Sequence, residues 1–427
     1  MPENLPFEIS LSLALEGIGA PARADYKAAL GEAKLYLSKL IDAQDPLELL
    51  AILDRSDDLA EISSFAEALA AGAREIFVLG IGGSSLGGQT LSELLPQSGA
   101  RTPRVNFFDS PGAGAFNAAL EACDLKSTRF LAISKSGSTA ETLTQTLLAA
   151  AVTRDALGED KLSEHFAVIT ERNANALRQF AKTIGCPILD HPVEIGGRFS
   201  VLSAAGLAPA VLMGLNAKAI RDGAKSVIAN VRANPNAEES PAAGAALHLA
   251  LLRQGKLRES VLWSYADRLG IFGSWWRQLW AESLGKDGQG TTPIAAIGPI
   301  DQHSQLQLFL DGPGGALFTL ISQDAPAAGT KVPAADAEKL GLSYLGGKTL
   351  GDLIAVEAKA TARTLARHGR AVRLFRLGTV DEYALGALFM HFMLETILMG
   401  RLTGVDPFGQ PAVEEGKILA REYLEGK

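Results

Sequence analysis

Two segments rich in glycine and hydroxyl side chains carry the sharpest chemical signal in this chain. Gly80-Ile81-Gly82-Gly83-Ser84-Ser85-Leu86-Gly87-Gly88 follows an apolar run at 76–79 and precedes a helical pattern from about Gln89. A glycine-rich turn between strand and helix exposes backbone N–H groups at the positive end of the helix, which suits phosphate. No Gly-Lys-Ser/Thr follows, so it is not a Walker loop. Gly80-x-Gly82-x-x-Ser85 only approaches a dinucleotide fingerprint, and the next strand offers no ribose-binding acid but Asp109. Ser134-Lys135-Ser136-Gly137-Ser138-Thr139 closes a second apolar run and opens a helix over 140–151. One Ser or Thr suffices to cap a helix; several hydroxyls suit an anion with several oxygens. Taken singly, each segment is equally a tight turn or a capping cluster. Together, at the carboxyl ends of strands where open parallel sheets bind ligands, they predict a phosphorylated small molecule.

Acid–base candidates lie further along. Gly196-Gly197-Arg198-Phe199-Ser200 places a lone arginine at the edge of an uncharged stretch, 199–217. A buried arginine needs an anionic partner, or it serves as a clamp on developing negative charge. Glu282 ends an amphipathic pattern where the helix dipole disfavours an acid. His303 alone among six histidines sits in a polar strand-end loop, Gly298 to Ser304. His391 lies in an apolar helical run and reads as a core histidine. Lys417, after the Pro407–Pro411 loop, reads locally as a surface lysine. No His-Glu-x-x-His spacing occurs, so any acid–base chemistry is expected to need no metal.

These residues must be held by elements, and the hydropathy rhythm supplies them. Helical periodicity fills the chain to about residue 70. Short β-rich runs at 74–79, 105–108, 129–133, 165–169 and 187–189 then alternate with helical ones. A second set follows at 260–264, 293–297, 317–322 and 372–375, with helices at 273–283, 353–367 and 380–399. This alternation predicts an α/β protein of two tandem domains, each a mostly parallel sheet flanked by helices. The expected division is an N-terminal helical extension at 1–45, a first domain at 46–235, a second at 236–400 and a C-terminal loop and helix at 401–427 that pack back on the active site, with a polar boundary near 234–243. The 427 residues can bury a large core without staples. A net charge of −8, from 40 basic and 48 acidic residues, argues against nucleic acid as a partner. Cys123 and Cys186 are too few for a disulfide scaffold or a cysteine-only zinc site and fit a reducing cytoplasm. The acidic start, Met1 to Asn4, does not read as a signal peptide. The 199–217 stretch is long enough to span a bilayer, but its Ser, Asn and Pro residues favour a buried helix.

In order, six blocks resemble the glucose-6-phosphate isomerase (phosphoglucose isomerase) family: Gly-Ile-Gly-Gly-Ser from Gly80, Ser-Lys-Ser-Gly from Ser134, Gly-Gly-Arg-Phe-Ser from Gly196, Glu-Ser-Leu-Gly-Lys from Glu282, Asp-Gln-His-Ser from Asp301, and Pro-Phe-Gly-Gln-Pro to Glu-x-Gly-Lys ending at Lys417. The resemblance implies two sugar-isomerase-type domains and cofactor-free interconversion of glucose 6-phosphate and fructose 6-phosphate. It implies that Glu282 is the base that moves a proton between C1 and C2, a role that calls for a desolvated carboxylate, and that Arg198 steadies the enediolate. His303 and Lys417 match the groups that open the ring. Gly83, Ser84, Ser134, Lys135, Ser136 and Thr139 match the phosphate cradle, and Gln410 a substrate contact. A homodimer with His303 reaching across the interface is implied too. Gly409, Ser138 and Ser85 depart from the family's common Asp, Thr and acid. Competing readings are a non-catalytic sugar-phosphate sensor and an isomerase shifted to mannose 6-phosphate. Amino sugar synthesis is disfavoured by Pro2 in place of a nucleophilic cysteine, and an NAD-dependent dehydrogenase by the glycine pattern.

Overall fold

A computed structural model describes residues 5–96, 103–110, 112–235, 237, 239–323 and 327–427. Its ten strands are β1 (Phe7–Ser10), β2 (Glu75–Leu79), β3 (Arg104–Phe108), β4 (Thr128–Ile133), β5 (Phe166–Thr170), β6 (Ile188–Asp190), β7 (Glu259–Tyr265), β8 (Thr292–Ile297), β9 (Ala316–Gln323) and β10 (Ala371–Leu377). They form two five-stranded sheets, ordered β3-β2-β4-β5-β6 and β1-β10-β9-β7-β8. The first is wholly parallel; the second is parallel except for β1, which runs antiparallel to β10. Helices cover both faces, so the central strands are buried on both sides and read as continuous apolar runs: every residue of β5 is buried. In the first sheet Phe130 stacks on Phe166 at 4.8 Å and meets Phe77 edge-on at 5.6 Å.

The nine strands expected from the rhythm are all present, within a residue or two of their predicted ends. The reading of the N-terminal segment as helical is corrected by β1. Its Phe7 and Ile9 turn inward and Glu8 outward, a period of two too short to stand out, and its partner strand lies at the far end of the chain. The stretch 199–217 is not one helix. It is a 3₁₀ turn (Gly197–Leu202), a break at Ser203, a helix (Ala204–Leu212) and a turn before the helix that starts at Ala217. It lacks charge because it is buried. Among the described residues one helix, Glu382–Thr403, is long and apolar enough to cross a membrane, and 94% of its apolar window is buried inside the protein. The N-terminal residues 1–4 and parts of the expected boundary, 236 and 238, lie outside the described residues.

That central helix carries Glu395 into the core. Arg373 of β10 grips it bidentately, with both N–H···O distances 2.8 Å, and donates its Nε to Thr319 at 2.7 Å. His248 and His391 lie 3.4 and 3.5 Å from the same carboxylate. Burial alone would raise the Glu395 carboxyl, but Arg373 and the two histidines hold it down at about 2. Burial pushes His248 down to about 4, against the pull of Glu395.

Candidate active site

β2 and β4 are neighbours in register, Leu79 opposite Ala132, so the Gly80 and Ser134 loops leave the sheet side by side at its carboxyl end. The first loop passes through a 3₁₀ turn (Gly82–Ser84) into the helix Leu86–Ser92. It is pressed against the arginine segment so closely that a Cβ on Gly83 would fall inside the Gly197–Arg198 backbone. Ser200 adds hydroxyl bonds to the Gly197 carbonyl at 2.7 Å and the Gly83 carbonyl at 3.3 Å. In the second loop Ser134 and Thr139 share a hydroxyl–hydroxyl bond of 2.9 Å, and Ser138 donates to Ser136 at 3.0 Å. Lys135 is aimed by the Val193 carbonyl at 2.7 Å and by Glu171 at 3.5 Å.

Arg198 is buried and saturated. Nε donates to Ser283 (2.8 Å), Nη1 to Gln410 (2.6 Å) and Glu282 (3.2 Å), and Nη2 to the carbonyls of Pro407 (2.6 Å), Phe408 (2.7 Å) and Gly409 (3.2 Å). Burial lowers its pKa and Glu282 opposes that shift; a guanidinium starting this high stays charged. The helix Gly270–Leu284 delivers Glu282 near its end, and Gln278, one turn earlier on the same face, donates Nε2 to Glu282 Oε1 at 2.9 Å. Gln278 also packs on the phosphate-suited loop: a Cβ on Gly82, whose φ is +57°, would stand 2.8 Å from Gln278 Nε2.

Arg198, Glu282, Gln410 and the Gly83 loop therefore converge. His303 and Lys417 do not join them. His303 is exposed beyond β8, and Lys417 is exposed and paired with Glu414 at 2.7 Å; of the C-terminal segment expected to pack back on the site, only the loop at 407–410 does so, and the helix Glu414–Leu424 has no buried residue. The Glu282 side chain keeps 31% of its surface open, so this chain's own described residues do not supply the expected desolvation. Sequence reasoning missed Gln278 and Ser283. The i,i+4 spacing of Gln278 to Glu282 was the available signal; the Ser283–Arg198 bond spans residues too distant to read.

Two mostly parallel sheets, helices on both faces and anion-suited loops at the strand ends define a sugar-isomerase-type α/β protein. The phosphoglucose isomerase family model matches residues 53–302. A glucose-6-phosphate isomerase from Rubrobacter xylanophilus is 36% identical over 356 residues, 82% of each chain. The crystal structure of a hypothetical protein from Thermus thermophilus superposes with a TM-score of 0.84 at 34% identity, over 98% of this chain and 99% of that one. That of a glucose-6-phosphate isomerase from Chlamydia trachomatis gives 0.81 over 98% and 88%; its 18% identity speaks to the fold alone. The chain belongs to the phosphoglucose isomerase family.

Proposed function

We propose that this protein is an aldose–ketose isomerase that interconverts glucose 6-phosphate and fructose 6-phosphate, the step shared by glycolysis and gluconeogenesis, in the cytoplasm. The observation that carries the reading is the Arg198 guanidinium bridging Glu282 and Gln410 beside the Gly82–Gly83 turn. Ser84, Ser134, Lys135, Ser136 and Thr139, with the Gly83 N–H, hold the phosphate ester. From the ketose, Glu282 removes a proton from C1; the C1–H pair becomes the C1=C2 bond of a cis-enediol(ate), and O2 takes up the displaced charge or a proton. Glu282 then returns its proton to C2 while the O1 hydroxyl proton passes to O2, so that O1 becomes the aldehyde oxygen and O2 a hydroxyl. Negative charge thus leaves the carboxylate and appears on the enediolate, and the fixed positive charge of Arg198, already 3.2 Å from that carboxylate, stabilises it electrostatically.

His303 and Lys417 are assigned to ring opening at O5 and O1. Their exposure supports a site completed by a second copy, with His303 reaching across. The helix Glu414–Leu424 has no buried residue, and Ile418, Tyr423 and Leu424 are 59, 71 and 86% exposed, which supports a homodimer that covers it. A direct test is to follow fructose 6-phosphate with purified protein by ³¹P NMR, beside mannose 6-phosphate. Appearance of glucose 6-phosphate is expected. Saturable ester binding without conversion would make the protein a sensor, and faster conversion of mannose 6-phosphate would shift the substrate.

A further inference from the structure

The base-bearing helix Gly270–Leu284 has no cap of its own. Its N-cap, Leu269, makes no side-chain bond, and no acid stands in its first turn. Its positive end is met instead by Glu93, from the C-cap of the helix Leu86–Ser92 that leaves the phosphate-suited loop. Glu93 Oε2 accepts the Ile271 N–H at 2.8 Å, and Oε1 lies 3.0 Å from where a Cβ on Gly270 would stand. The carboxyl is half-buried, and burial raises its pKa while the Ile271 bond opposes the rise. In the 3₁₀ turn that precedes the helix Leu86–Ser92, Gly82 meets Gln278, the residue that orients Glu282. The segment from Gly82 to Glu93 therefore meets the base-bearing helix at two points, Ile271 and Gln278, about seven residues or ~10 Å apart along its axis.

We propose that Glu93 is a positioning residue for the isomerisation, a spacer of fixed length that sets the distance between the phosphate cradle and the Glu282 carboxylate. The inference rests on the isomerase reading. A loop that anchors the ester and a helix that carries the base come from different sheets, and a misplacement of about 1 Å between them can cost ~10²-fold in rate. Length, not charge, is the operative property. A glutamine of the same reach can still accept the Ile271 N–H, whereas an aspartate keeps the charge and falls one methylene short.

The experiment compares wild type, Glu93→Gln and Glu93→Asp for kcat, KM and inhibition by inorganic phosphate, with Ile271 amide exchange as a second readout. Glu93→Gln should keep kcat within about threefold of wild type. Glu93→Asp should lose roughly tenfold or more in kcat, with KM and the phosphate inhibition constant unchanged and faster exchange at Ile271. Full kcat in Glu93→Asp, equal losses in both variants, or weakened phosphate inhibition in step with kcat would overturn the proposal. A wild-type protein that converts no substrate would instead defeat the isomerase reading, so the two failures are distinct.

Discussion

Glu282 is held from both sides, by Gln278 on Oε1 and Arg198 on Oε2, which fixes the carboxylate plane while leaving lone pairs free to take a proton. Glu282→Gln keeps the shape and both neighbours but removes the basic oxygen. We expect kcat to fall by at least ~10²–10⁴-fold, the range for loss of a general base, with phosphate inhibition and melting temperature nearly unchanged; near-normal turnover would show that another group is the base. The anion-suited loops, Arg198 and Glu282 stood out in the sequence because each sits in a compact block whose residue types point to one kind of chemistry, whereas Lys417 and Gln410 were singled out only through the family resemblance. Glycines and hydroxyls suit an anion, an arginine stands at the edge of an uncharged stretch, and a glutamate lies against the helix dipole. What those blocks do not encode is who holds whom. Arg198 is bound by residues 84 to 212 positions away, and Glu93 caps a helix 178 positions on.

At the scale of elements, strands were legible because a sheet covered on both faces demands unbroken apolar runs, and helices because they alternate with them. Two short features escaped for physical reasons. β1 has four residues and borrows its stability from β10, and the 199–217 stretch hides its break at Ser203 inside a run that is apolar throughout. The Arg373–Glu395 pair shows what a central helix needs when it carries charge into the core. Glu395→Gln leaves Arg373 buried without its counter-charge, and a loss of ~3–5 kcal/mol in denaturation experiments is expected. The pH dependence has a definite sign. His248, neutral in the fold with a pKa of about 4 against an ordinary 6.5, makes the fold lose stability as pH falls from 6.5 toward 4. Glu395, held at about 2 against 4.5, withdraws its contribution as pH falls from 4.5 toward 2. Melting temperature should therefore decline steadily below pH 6.5, and His248→Phe, if it folds, should flatten the upper part of that decline. A melting temperature that rises on acidification contradicts this account.

At the scale of the whole molecule, the two sheets converge on Arg198: the first contributes the anion-suited loops, the second the helix that carries Glu282, and the C-terminal loop closes on Arg198 through three carbonyls. The exposed helix Glu414–Leu424, Lys417 on it, and His303 beyond β8 are the parts a single chain leaves open. A site shared between two copies can be tested by mixing two inactive variants, Glu282→Gln and His303→Ala, after reversible dissociation. If His303 acts across the interface, each hybrid dimer holds one intact and one doubly altered site, and total activity should rise to about a quarter of wild type. If His303 acts within its own chain, every site stays defective and the mixture stays inactive. The family was visible from six local blocks in order; the assembly was implied only through that resemblance, because an interface is a property of surfaces that no run of residues spells out.

The most direct test of the central claim is to incubate the protein with fructose 6-phosphate in deuterated water and read the glucose 6-phosphate formed by proton NMR. Transfer through a solvent-exchangeable carboxylic acid at residue 282 predicts deuterium at C2 of the aldose, and none when Glu282→Gln replaces wild type. Product formed at full rate with protium retained at C2 in every turnover would mean that hydrogen passes directly between the carbons, and Glu282 would not be the carrier.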